Sequence, residues 1–140
     1  MSAENKALVR RLIDGINRRN LDECAALLSA DYVYHGPGLE MRGPEGFKQL
    51  VGTYITAFPD LVLTIDDLIA EDDKVAVRFT GRGTHLGELS GVAASGRQVA
   101  VPCVVISRIA NGRIVEDFEV FDNLGMFQSI GTLPALPASV

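Results

Sequence analysis

What this chain has little of sets its first limits. It contains no tryptophan, two cysteines and two histidines in 140 residues. Cys24 and Cys103 belong to no C-x-x-C pair, and no group of His, Cys and carboxylate residues has ligand spacing. Neither a metal nor any other cofactor is therefore expected. Each cysteine sits in an apolar segment and reads as a small buried hydrophobe with a free thiol. Basic runs are missing and the net charge is −5, which argues against a nucleic-acid groove or an anionic membrane surface as partner. No stretch is long and apolar enough to span a bilayer, and the opening residues lack the apolar core of a signal peptide. A cytoplasmic location is the expectation.

What is present is a large apolar fraction, 47% of the residues. A chain of this length buries roughly two-thirds of its unfolded surface and needs no covalent staple. The pattern predicts one domain over residues 1–131 and a flexible tail over residues 132–140. Leu8, Val9, Leu12, Ile13 and Ile16 fall on one helical face. A second helix starts at Asn20, with Glu23 placed as in a capping box. Tyr32-Val33-Tyr34 is a short β-prone stretch that His35-Gly36-Pro37-Gly38 breaks. A third helix begins near Gly43-Pro44-Glu45, where proline suits the first helical position. Phe47, Leu50, Val51, Tyr54, Ile55 and Phe58 keep its period, and Pro59 ends it.

The period then changes to two. Strands are expected over residues 61–69, 75–85, 98–109 and 113–121, with a helical tail over residues 123–130. Asn111-Gly112 is a hairpin turn signal. Helices followed by a meander of antiparallel strands give an α+β domain with helices on one face of a sheet. If that sheet is strongly curved, a hollow suited to a small apolar molecule opens beneath the helices.

Alternation along the strands nominates the residues facing the hollow. Val75, Val77, Phe79, Gly81, Gly83 and His85 share one face. In the last strand, Ile114, Glu116, Phe118, Val120 and Asp122 form the more apolar face, so parity points Asp122 and His85 inward together. A β-bulge in either strand would reverse that inference. A carboxylate in an apolar hollow has a raised pKa and suits proton abstraction from carbon next to a carbonyl. Asp122 also directly precedes a helix, where aspartate is a favoured N-cap. The bare sequence leaves both roles open. His85 is a candidate for polarising a carbonyl or steadying an enolate, or else an ordinary histidine at a strand end. His35 is a candidate pocket group or a surface turn residue. Tyr34, Tyr54, Phe58, Phe79 and Phe118 are candidate substrate contacts. Residues 98–109 are apolar on both faces, so the outer face is expected to be covered by a second copy in a homodimer.

The segment Gly83-Thr84-His85-Leu86-Gly87-Glu88-Leu89, the block Ser95-Gly96-Arg97-Gln98-Val99 and the ending Asp122-Asn123-Leu124-Gly125-Met126-Phe127-Gln128-Ser129-Ile130-Gly131 resemble the SnoaL-like polyketide cyclases. So does Arg108-Ile109-Ala110-Asn111-Gly112-Arg113-Ile114-Val115-Glu116-Asp117-Phe118. The resemblance runs from the first helix to Gly131. It implies the cone-shaped fold of nuclear transport factor 2 and ketosteroid isomerase, a curved antiparallel sheet with N-terminal helices over its concave face. It also implies intramolecular aldol ring closure without metal or cofactor. An aspartate at the end of the last strand, matched to Asp122, would be the base, with His85 and His35 at polar pocket positions. Phe118 stands where many relatives carry tryptophan, and Phe127 interrupts a usual Leu-Leu-Gln pattern. The reading is a cofactor-free cyclase or isomerase. Its rivals are an epoxide hydrolase on the same fold, which needs an acid, a base and a positioned water, and a non-catalytic dimeric binding module. The binding module gains if Asp122 only caps the helix that follows it.

Overall fold

The computed structural model describes residues 2–132. Most of the nine-residue tail expected at 132–140 lies outside them. Helix α1 (Ser2–Asn17) buries the apolar stripe read from the sequence, and α2 (Leu21–Ala26) follows it. The Asn20 side chain accepts a hydrogen bond from the Glu23 backbone N–H at 3.2 Å, as the capping signal requires. Strand β1 (Leu28–Gly36) turns through Gly38 into a short strand β2 (Leu39–Arg42) that the sequence reading did not contain. Helix α3 (Gly43–Ala57) opens with proline in its first turn. Strands β3 (Val62–Glu71), β4 (Lys74–Thr84), β5 (Gln98–Ala110) and β6 (Arg113–Phe121) follow, and α4 (Asn123–Ser129) closes the described chain.

The strands form one six-stranded sheet in the order β2-β1-β6-β5-β4-β3. Four of the pairings are antiparallel, but β1 pairs with β6 in parallel, so the sheet is mixed. The sequence reading expected antiparallel strands throughout. A parallel neighbour requires a long connection, and here the chain between β1 and β6 supplies it. The pairing brings the Tyr32-Val33-Tyr34 stretch beside the last strand. Helices α1 and α3 pack over the inner face, and the shared core runs from Leu8, Val9 and Leu12 through Tyr32, Phe47 and Phe58 to Val75, Val77 and Ile114.

One irregularity decides which side chains face that core. In the β5–β6 ladder Ile109 pairs with Ile114, but Arg108 pairs with Glu116. Val115 is therefore one residue too many, a β-bulge that reverses the alternation beyond it. Ile114 points inward before the bulge, and after it the inward residues are Asp117, Glu119 and Phe121. The face expected inward, carrying Glu116, Phe118 and Val120, looks outward instead.

Candidate functional site

Between the helices and the concave face of the sheet lies an apolar cavity. Leu12 and Ile16 of α1, Val51 and Tyr54 of α3, Phe58, and Phe79, Val101 and Phe121 of the sheet are among the groups lining it. Its polar groups are concentrated on one wall, where β1, β6 and β5 run side by side: Tyr32, Tyr34, Asp117, Glu119 and Ser107. Cys103 also lines it, and burial pushes its thiol up to about 12, so it stays protonated and inert.

Two carboxylates thus face an apolar hollow, each paired with a phenol from β1. The Tyr34 hydroxyl donates to Glu119 Oε1 at 2.5 Å, and the Tyr32 hydroxyl donates to Asp117 Oδ2 at 2.6 Å. Tyr34 stands beside Asp117 in the ladder, so its phenol leans one inward position further along β6. The environments of the two acids differ. Asp117 is buried, and the Ser107 hydroxyl donates to its other oxygen at 2.5 Å, so both oxygens are occupied. Glu119 has a protein partner on Oε1 alone among the described residues, which leaves Oε2 free on a residue that lines the cavity. Burial pushes Glu119 up to about 7, opposed by the Tyr34 hydrogen bond and reinforced by the neighbouring Asp117. Burial also raises Asp117, against the pull of the Ser107 and Tyr32 hydrogen bonds. A carboxylate balanced near neutrality, with a free oxygen in an apolar chamber, is equipped to take a proton from a carbon acid.

The candidates named from the sequence divide sharply. Tyr34, Tyr54, Phe58 and Phe79 line the cavity. Asp122 does not: it is exposed, and its Oδ1 accepts the Gly125 backbone N–H at 2.8 Å as the N-cap of α4. The bulge at Val115 removes the parity that pointed it inward. Phe118 is 51% exposed on the outer sheet face, for the same reason. His35 lies on that face too. Its ring stacks on Phe118 with centroids 4.4 Å apart, and its Nε2 lies 2.8 Å from Glu116 Oε2. Because Tyr32 and Tyr34 point inward, His35 must point outward. His85 is fully buried but lies outside the cavity lining. It sits beyond the end of β4, with Nδ1 accepting from the Ser95 backbone N–H at 3.1 Å and its ring 5.6 Å from that of Phe58. It fastens the connection between β4 and β5 next to a cavity wall. That connection is also tied to α3, through bonds from the Leu86 and Gly87 N–H groups to the Ala57 carbonyl at 3.0 Å.

Sequence reasoning missed Asp117, Glu119, Tyr32 and Ser107. One signal for them exists: Tyr-x-Tyr at 32 and 34 and acid-x-acid at 117 and 119 share a period of two, as paired polar rows on adjacent strands would. Among the described residues no group of three or more His, Cys, Asp and Glu side chains is placed to hold a metal ion. No helix among them is long and apolar enough to cross a membrane.

The profile of the SnoaL-like polyketide cyclases matches residues 6–130. The chain belongs to that family. It is 28% identical over 131 residues to the aklanonic acid methyl ester cyclase DnrD of Streptomyces peucetius, covering 89% of this chain and 88% of that one. The fold is that of AclR from Streptomyces galilaeus, named as a hydroxylase, at a TM-score of 0.89 and 32% identity over 99% of this chain and 88% of that one. IdmH of Streptomyces antibioticus, named as a polyketide cyclase, superposes at a TM-score of 0.80 with 30% identity, covering 91% of this chain and 99% of that one.

Proposed function

We propose that this SnoaL-like chain closes a ring in an apolar, polyketide-type carbonyl compound by intramolecular aldol addition, with Glu119 as the general base. The observation that carries the reading is the free Oε2 of a half-buried cavity carboxylate whose pKa desolvation has moved to about 7. Such a base is largely ionised just above neutral pH and strong enough to act on the C–H between two carbonyls. The Tyr34 phenol orients Glu119. The Tyr54 hydroxyl lines the same cavity, has no hydrogen-bond partner among the described residues, and serves as the donor to the enolate oxygen. The apolar walls bind the rings and exclude water, so the enolate attacks the internal carbonyl before it is reprotonated.

DnrD and two further relatives are named for aklanonic acid methyl ester, which makes that compound the first substrate to test. A simpler aryl β-keto ester with a ketone-bearing side chain is the second. The expected product is an isomer of the substrate, formed without added metal or cofactor. Glu119→Gln should lower turnover by on the order of a hundred- to ten-thousand-fold. Full turnover in Glu119→Gln would sink the assignment. The likeness to AclR favours hydroxylation as a second reading, whose product would be heavier by one oxygen. Epoxide hydrolysis of the Asp-Arg-Asp type fits less well, because the residues lining the cavity include no arginine. A binding-only role would follow from the capping Asp122 if no other carboxylate faced the hollow, and Glu119 does.

The outer sheet face supports a second proposal, a homodimer. Val104, Ile106, Phe118 and Val120 form an exposed apolar surface on β5 and β6, with Val120 67% exposed. Contiguous apolar surface of this kind marks an interaction site. Every copy presents the same outer face, so two copies can pair about a twofold axis.

A further inference from the structure

The cavity wall carries a second carboxylate that proton abstraction does not use. Asp117 is buried, lines the cavity, and is held by the Tyr32 hydroxyl at 2.6 Å and the Ser107 hydroxyl at 2.5 Å. Both hydroxyl-bearing residues line the cavity as well. The carboxyl and both its partners thus stand on the chamber wall.

Aldol closure has two proton events at two different atoms. The base removes the proton from carbon. The enolate carbon then bonds to the carbonyl carbon, and that carbonyl's π electrons become an alkoxide on its oxygen. In an apolar chamber the alkoxide has no water to protonate it, and unless it is protonated the new bond readily breaks again. Asp117 and Glu119 are alternate residues of one strand, about 7 Å apart along it. A substrate whose acidic carbon faces Glu119 can place its acceptor carbonyl towards Asp117.

We infer that Asp117 is the source of the proton for the aldol alkoxide, relayed by the hydroxyls of Tyr32 and Ser107, two residues of the cavity wall. When Asp117 is protonated one of its two bonds reverses: that hydroxyl accepts from the carboxyl and is free to donate its own proton to the alkoxide, taking the Asp117 proton in exchange. Burial keeps that carboxyl protonated more readily than an exposed one. The proton taken by Glu119 and the proton given by Asp117 balance, and the pair is reset by exchange with solvent after product leaves. Tyr34–Glu119 thus serves the carbon and Tyr32–Asp117 serves the oxygen.

The inference rests on Glu119 as the base, and the test separates the two. The aryl β-keto ester is incubated in D2O, and deuterium entry at its acidic carbon is followed beside ring closure. Asp117→Asn keeps a similar shape and an acceptor for one hydroxyl. It should leave enzyme-catalysed exchange at or above the wild-type rate, since an enolate that cannot complete closure returns to carbon, while closure falls by about a hundredfold or more. Tyr32→Phe, which retains the carboxylate and Ser107, should shift the same ratio in the same direction, and it carries the test if Asp117→Asn fails to fold. Unchanged closure in Asp117→Asn, or exchange and closure falling together in a protein with a wild-type melt, overturns the inference. If Tyr32→Phe has to carry the test, the same two results in that variant overturn it. Exchange that persists in Glu119→Gln overturns the base assignment instead.

Discussion

Tyr34 and Glu119 meet across the parallel β1–β6 pair, with the phenol donating to the carboxylate at 2.5 Å while the other carboxylate oxygen stays free. The bond does two things at once. It fixes the side chain against the wall, and it holds down a proton affinity that burial raises. Removing it therefore has a signed effect. In Tyr34→Phe the carboxyl should rise further above about 7, and the acid limb of the pH–rate profile should move to higher pH. Profiles of kcat for both proteins check this. A limb that stays in place means that Glu119 does not set it.

The same group makes stability depend on pH. Its folded pKa is above its ordinary 4.5, so the folded state holds a proton that the unfolded state releases. Stability from this site is complete below 4.5 and is lost as pH rises towards about 7. A carboxyl moved that far accounts for roughly 3 kcal/mol, at 1.36 kcal/mol per pKa unit. Glu119→Gln keeps a polar group and removes the titration. Its melting temperature relative to wild type should therefore be distinctly higher at pH 8 than at pH 4. Parallel melting curves across that range would contradict the burial described for Glu119.

Asp122 gives the complementary control. Asparagine caps a helix as well as aspartate, so Asp122→Asn should be nearly silent in both stability and turnover. Asp122→Ala should cost about 1 kcal/mol through the loss of its bond to Gly125. Thermal melts read the second effect and initial rates the first. A collapse of turnover in Asp122→Asn with the melt unchanged would return the base to this residue.

Assembly has its own variant. Val120→Arg places a charge in the middle of the outer apolar surface and touches nothing in the cavity. Sedimentation should show a dimer for the wild type and a monomer for the variant at micromolar concentration. A wild-type monomer would leave Phe118 and Val120 without a partner and end the proposal.

Much of this architecture can be read in the sequence because it rests on local rules. The α1 stripe, the Asn20 cap, the proline that opens α3 and the Asn111-Gly112 turn each act within a few residues. Tyr54 and Phe79 line the cavity, as the pattern expects, because α3 and β4 keep a regular period. What could not be read is non-local. The parallel pairing of β1 with β6 joins residues some eighty positions apart, and no composition rule announces it. The bulge at Val115 could not be read, because both faces of β6 mix acidic and apolar residues and the shifted phase has no contrast to show it. Choosing the more apolar face of β6 as the inner one then failed for a physical reason. The outer face, with Phe118 and Val120, is richer in hydrocarbon than the inner face, where the carboxylates stand.

The extra residue at Val115 makes β6 a strand with two readable frames. In the present frame Asp117 and Glu119 belong to the chamber, and Phe118 and Val120 belong to the outside. Deleting that one residue would slide the remainder by half a pleat and trade the sides. Phe118 and Val120 would fill the hollow, and the two acids would stand on the outer sheet face. The cavity acids and the outer apolar side chains are thus interleaved letter by letter on one strand, and a single codon's worth of chain keeps them in phase.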